Sequence, residues 1–192
     1  MTKARAAEWL LSQVLPPDRA ASTVGDWMED IGQRGSIWFW SCVLRTVIAH
    51  VWSDVAGSPS TMAGLALPGY TRYSLGVVGM AVLTDALRMS HYRHAIYRWP
   101  FELGLHLTWF SWAFQTGLWL ARRAPGRELS ACAALSLIGW AALLGQELTS
   151  FQQGVPASYI NLMGVAHDVA LFAGAIWIRR RFLRAATSWK PH

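Results

Sequence analysis

Two long apolar runs near the C-terminus constrain this chain more than any other feature. The segment 129–146 contains no charged residue, and the segment 159–178 ends at a triple arginine that begins with Arg179. A short link with Gly and Pro, 151–158, lies between them. A helix needs about 20 apolar residues to cross a bilayer core of about 30 Å. Two such runs around a short link are typical of a transmembrane hairpin, and they predict an integral membrane protein.

The composition favours the same class of protein. Charged residues make up 15% of the chain, below the roughly 25% that is usual in soluble domains. The chain has 12 tryptophans, and indole rings favour the membrane–water interface. The net charge is +6, but the arginines lie mainly at the ends of apolar runs, where they are typical of membrane anchors. We therefore expect the lipid bilayer as a partner, and no nucleic acid.

The N-terminal third predicts helices that are too short and too charged to cross a membrane. Residues 1–35 are predicted to form a cytoplasmic pair of amphipathic helices, separated by Pro16 and Pro17 because the residue before a proline disfavours helical geometry. Residues 36–58 predict an interfacial helix, with a membrane-embedded helix as the alternative. The Gly- and Pro-containing stretch 56–71 is predicted to be a linker.

The predicted fold class is all-α integral membrane, with short amphipathic helices followed by about four transmembrane helices. The bundle covers 59–184, and 185–192 is a short cytoplasmic tail. Basic clusters before the third span and after the fourth predict that both termini are cytoplasmic, in a bacterial inner membrane. The four predicted spans are 73–88, 101–121, 129–148 and 159–178.

This orientation gathers ionisable residues near the outer ends of the spans. Two interpretations stay open: the residues pair with one another and hold the bundle together, or they mark a ligand site. His106 and His167 lie at similar predicted depth, which suits axial ligation of haem or another tetrapyrrole, or a quinone pocket. No spacing predicts a metal site, and no catalytic set is found. The remaining members of this polar outer cluster are Asp85, His91, His94, Glu102, Glu147 and Asp168.

Residues 6–45 resemble the prefix segment of bacterial ABC-type permeases, in particular duplicated orphan permeases of acidobacterial type. Three stretches carry the resemblance: Leu10-Leu11 followed by Leu15-Pro16-Pro17, Val24-Gly25-Asp26 with Glu29, and Trp38-Phe39-Trp40 followed by Leu44-Arg45. In that family the segment is a small cytoplasmic helical leader before the membrane domain. The resemblance implies a bacterial inner-membrane protein, and it supplies no catalytic residue.

These observations predict a non-catalytic accessory subunit of a larger membrane complex, such as a respiratory or photosynthetic assembly. The chain lacks a catalytic set and offers more tryptophan and amphipathic surface than a four-helix bundle needs. The alternatives are a redox protein that binds a tetrapyrrole or quinone through His106 and His167, and a regulatory partner of a transporter. The residues predicted to contact lipid or other membrane subunits are Trp9, Trp27, Trp38, Trp40, Arg93, Arg98, Trp109 and Trp112.

Overall fold

The computed structural model describes residues 2–91, 98–151 and 157–188, with side chains described for 2–83, 85–86, 103–142, 144 and 164–182. Within these ranges the chain is helical and contains no strand, which confirms the predicted all-α class. The helices are α1 (Lys3–Leu11), α2 (Pro17–Gly57), α3 (Pro59–His91), α4 (Arg98–Arg123), α5 (Glu128–Phe151) and α6 (Ala157–Ser188).

None of the helices, as far as the structure describes them, has both the length and the apolar character that a membrane crossing requires.

The chain divides into two compact units, Met1–Pro59 and Ser60–His192. In the first unit, α1 packs against α2 around a small apolar core. The Thr2 side chain caps α1 by accepting a hydrogen bond from the backbone N–H of Arg5, and Pro17 opens α2, where its fixed φ suits the first helical turn. The core consists of Ala7, Leu11, Ala20, Val24, Phe39 and Val43.

Gly35 divides α2 into two arms, 17–34 and 36–57. Its backbone has φ 82° and ψ 168°, a combination that is essentially restricted to glycine. The break lets the second arm return toward the first, so the ring of Phe39 contacts that of Trp27 at a centroid distance of 6.4 Å. The turn at Gly35 coincides with the predicted boundary between the segments 1–35 and 36–58.

Helix α3 begins at Pro59, the last residue of the first unit, and continues through Pro68 in the second. The predicted linker at 56–71 is therefore wrong from residue 59 onward. An internal proline costs a helix about 3 kcal/mol, but Met62 and Ala66 are fully buried here. Burial of these two side chains stabilises the helix against this cost, and proline and glycine content alone does not reveal it.

Helices α4 and α6 are in direct backbone contact. A Cβ atom on Gly117 would overlap the carbonyl group of Leu171, and one on Gly174 would overlap the carbonyl group of Phe114. Helix α5 packs against both helices. Helix α3 joins them through Trp112, whose Nε1 donates a hydrogen bond to the Tyr73 carbonyl at 3.3 Å. The close packing brings polar side chains from four helices around one cavity.

Candidate ligand-binding cavity

A cavity of about 520 Å³ lies between α3, α4, α5 and α6. This volume is within the range of about 300–1,000 Å³ that is usual for small-molecule sites. Most of the wall is apolar or aromatic, as in such sites generally. The side chains with polar groups in the wall are Tyr70, Tyr73, Ser74, Ser136, Trp140, His167 and Asp168, together with the indole of Trp109.

Asp168 holds a carboxylate in this wall through two neutral donors. The Ser136 hydroxyl donates to Oδ1 at 2.7 Å, and Trp140 Nε1 donates to Oδ2 at 2.6 Å. Ser136 and Trp140 are four residues apart in sequence, so both lie on one face of α5. Within the described side chains, no lysine or arginine pairs with Asp168. A carboxylate accepts about four hydrogen bonds, so acceptor capacity remains for a ligand.

His167 is held by the Tyr73 hydroxyl and by three aromatic rings. The Tyr73 oxygen lies 2.7 Å from Nδ1 of His167. A phenol is a stronger donor than a neutral imidazole, so we assign the hydroxyl as the donor, which leaves the ring proton on Nε2. The rings of Tyr73, Trp109 and Phe110 surround the imidazole at centroid distances of 5.9, 5.7 and 5.5 Å.

Neither ring nitrogen of His167 is accessible to a ligand in the cavity. Nδ1 is engaged by Tyr73, and Nε2 is buried and has no hydrogen-bond partner among the described residues. An axial haem ligand must present an imidazole nitrogen to the iron. In this arrangement the histidine orients Tyr73 and the surrounding rings, and it does not present a nitrogen at the cavity surface.

The structure brings together some of the residues predicted from sequence and separates others. His167 and Asp168 both line the cavity, whereas His106 on α4 does not. Asp85 is exposed on α3. Four other members of the polar outer cluster, and two of the predicted contact residues, lie outside the described side chains: His91, His94, Glu102, Glu147, Arg93 and Arg98.

The predicted tryptophan contacts divide between the two units. Trp109 lines the cavity, and Trp112 packs between α3 and α4. In the first unit, four tryptophans are half-buried rather than fully exposed: Trp9, Trp27, Trp38 and Trp40. Three of these, Trp27, Trp38 and Trp40, pack against the apolar core of that unit.

Sequence reasoning missed three partners in the cavity, namely Tyr73, Ser136 and Trp140. The sequence signal for Ser136 and Trp140 is their spacing. It places a hydroxyl and an indole N–H one helical turn apart in a run that is mostly apolar. The position of Tyr73 opposite His167 depends on the rotation of two helices, which no local pattern specifies.

No protein-family model matches this chain, and no curated protein or solved structure matches it either.

Proposed function

We propose that this chain is a non-catalytic helical protein of the bacterial inner membrane that binds a small lipophilic cation in the cavity of its second unit. The membrane part of the proposal is supported by the uncharged run 129–146 and by large apolar side chains that are exposed on all four helices of that unit. Examples are Leu75, which is 68% exposed, and Val82, which is 65% exposed. Exposed apolar surface of this extent is typical of contact with lipid or with partner proteins.

The resemblance of residues 6–45 to a permease prefix segment supports a cytoplasmic N-terminus in a bacterial inner membrane. The basic clusters at 122–127 and 179–184 support the same orientation for the second unit.

The side chains that hold Asp168 and His167 use their own hydrogen-bond donors within the wall. Ser136 and Trp140 donate to Asp168, and Tyr73 donates to His167. What these side chains still offer a ligand is acceptor capacity on the carboxylate and the two hydroxyl oxygens. Tyr70, Ser74 and Trp109 also line the wall and carry further donors, so donor supply does not separate a quinone from a cation. The unpaired carboxylate does, because it favours a protonated amine or a quaternary ammonium group.

The carboxylate of Asp168 is the single observation that carries the proposal. A charge in an apolar setting is costly unless it is paired, and Asp168 has only neutral partners within the described side chains. A cationic ligand would supply the missing charge. The indoles of Trp109 and Trp140 in the same wall would add cation–π attraction, worth about 0.5–2 kcal/mol.

Two matched probes test the role of charge. Benzyltrimethylammonium and neopentylbenzene have nearly the same shape, but only the first is charged. We expect the purified full chain in detergent micelles to bind the cation at least about tenfold more tightly in titration calorimetry. The neutral probe would desolvate the carboxylate without pairing it, which costs more than the roughly 1.4 kcal/mol that a tenfold difference requires. A detergent-only titration corrects for partition into micelles.

Three outcomes separate the alternatives. Equal affinity for the two probes would contradict the proposal. Preferential binding of a hydroquinone over both probes would favour the quinone alternative. A Soret band in the protein purified from native membranes would favour the tetrapyrrole alternative.

A second function, that of an accessory subunit, is favoured by an exposed apolar stripe on the second arm of α2. Ile37, Leu44, Ile48 and Trp52 are exposed, and Ile37 is 89% exposed. Their spacing of seven, four and four residues places them on one helix face. Such a face suits another membrane subunit, or a transporter that the first unit regulates.

Co-purification from native membranes tests this second function. We expect the wild-type chain to retain a defined protein partner, identified by mass spectrometry, and the double variant Leu44→Ser/Ile48→Ser to lose it. A control is Ser41→Ala, an exposed position on the same arm. A wild-type chain that purifies alone as a stable monomer would contradict the accessory-subunit proposal.

A further inference from the structure

Arg72 on α3 lies against two tryptophans of α4. Its guanidinium carbon is 4.9 Å from the ring centroid of Trp112 and 5.7 Å from that of Trp119. Trp112 and Trp119 are two helical turns apart, so they lie on one face of α4. The guanidinium of Arg123 contacts the Trp119 ring as well, at 4.2 Å. Two positive charges therefore converge on one indole.

The charge of Arg72 is not neutralised by any side chain that the structure describes. No carboxylate pairs with it within the described side chains, and its Nε is buried there without a hydrogen-bond partner. Cation–π contacts stabilise a guanidinium on an aromatic face, but they leave its N–H groups in need of acceptors. An anion is the missing partner.

The surroundings of Arg72 restrict the kind of anion. The guanidinium lies in an open groove of about 700 Å³ between α3 and α4, whose wall includes Leu67, Pro68 and Leu75 beside the two indoles. Arginine matches the geometry of phosphate oxygens with two parallel hydrogen bonds. An apolar groove with a phosphate-binding group fits an amphipathic molecule that combines a phosphate ester and a hydrocarbon chain.

We propose that this groove is a specific binding site for an anionic glycerophospholipid. Arg72, backed by Trp112 and Trp119, binds the phosphate group, and an acyl chain lies along Leu67, Pro68 and Leu75. Arg123 adds attraction for the net negative charge of the headgroup. A free phosphate ion would share the contact with Arg72 but would gain nothing from the apolar wall. The site is separate from the cavity around Asp168 and does not depend on a ligand there.

Native mass spectrometry of the full chain in a non-ionic detergent tests the site. The added probes are phosphatidylglycerol, phosphatidylcholine and inorganic phosphate. We expect the wild-type chain to retain phosphatidylglycerol in preference to phosphatidylcholine. Arg72→Gln should weaken the binding of phosphatidylglycerol about tenfold, because a charge-assisted bidentate contact is lost. The control Arg122→Gln, at an exposed neighbour of Arg123, should leave it unchanged.

A second variant tests the apolar part of the groove, and it keeps the test valid if Arg72→Gln does not fold. Leu75 is exposed, so Leu75→Ser should fold, and we expect it to weaken lipid binding without creating phosphate binding. Unchanged lipid affinity in both variants would overturn the proposal. Binding of inorganic phosphate as tight as that of phosphatidylglycerol would identify a free anion as the ligand and would also overturn it. Asp168→Asn should leave lipid binding intact, which separates this site from the cavity.

Discussion

Replacing Arg179 by methionine should lower the free energy of unfolding by about 3 to 5 kcal/mol, because it leaves a buried carboxylate without its partner. Arg179 Nη1 donates to Glu128 Oε2 at 3.0 Å, and the Glu128 side chain is only 4% exposed. The other oxygen of Glu128 accepts the Gly126 N–H at 2.9 Å. This pair joins the first turn of α5 to α6 and fixes the turn that precedes α5.

Denaturant unfolding of the purified chain in detergent measures the effect. The matched control is Arg127→Met, because Arg127 is exposed and adjacent to Glu128 in sequence. The double variant Glu128→Gln/Arg179→Met should recover part of the loss, since the uncompensated charge is then absent. A loss for Arg179→Met no larger than that of the control would show that the ion pair does not hold these helices together.

Replacing Gly117 by alanine should destabilise the second unit by about 3 kcal/mol, the upper part of the usual range for overpacking. The added methyl group would overlap the backbone carbonyl of Leu171 on α6. A flexible side chain could move aside, but backbone cannot do so without separating α4 from α6. The separation would also open the wall around His167 and Asp168.

The control for Gly117 lies on the same helix. A Cβ atom on Gly104 would meet nothing within 4 Å, so Gly104→Ala should raise stability by up to about 1 kcal/mol through helix propensity. Thermal unfolding followed by circular dichroism compares the two variants under identical conditions. Equal stabilisation by both substitutions would contradict the close approach of α4 and α6.

Much of the helical framework follows from local sequence. The segments 101–121, 129–148 and 159–178 lie within α4, α5 and α6, because long apolar runs and arginines mark helix bodies and ends. The linker predicted for 59–71 is wrong, because Pro68 and nearby glycines suggest a loop where the chain is helical. Its helix coincides with the burial of Met62 and Ala66, which depends on tertiary packing.

The candidate site was only partly predictable. An ionisable pair such as His167 and Asp168 stands out in an apolar run, since such residues are costly there. His106 and His167 have similar predicted depths along their helices. Depth does not specify how each helix is rotated about its axis, and only His167 lines the cavity. Similarly, the sequence pattern groups Arg179 with the next two arginines as a topology signal, whereas the structure pairs it with Glu128.

Binding of benzyltrimethylammonium to Asp168→Asn tests the central claim most directly. Asparagine keeps the size of the side chain and one acceptor oxygen but removes the charge, so titration calorimetry isolates the electrostatic contribution. We predict that affinity falls at least about tenfold relative to wild type, with no change for Asp85→Asn, an exposed acid on α3. An Asp168→Asn protein that folds normally and binds the cation as tightly as wild type would contradict the account.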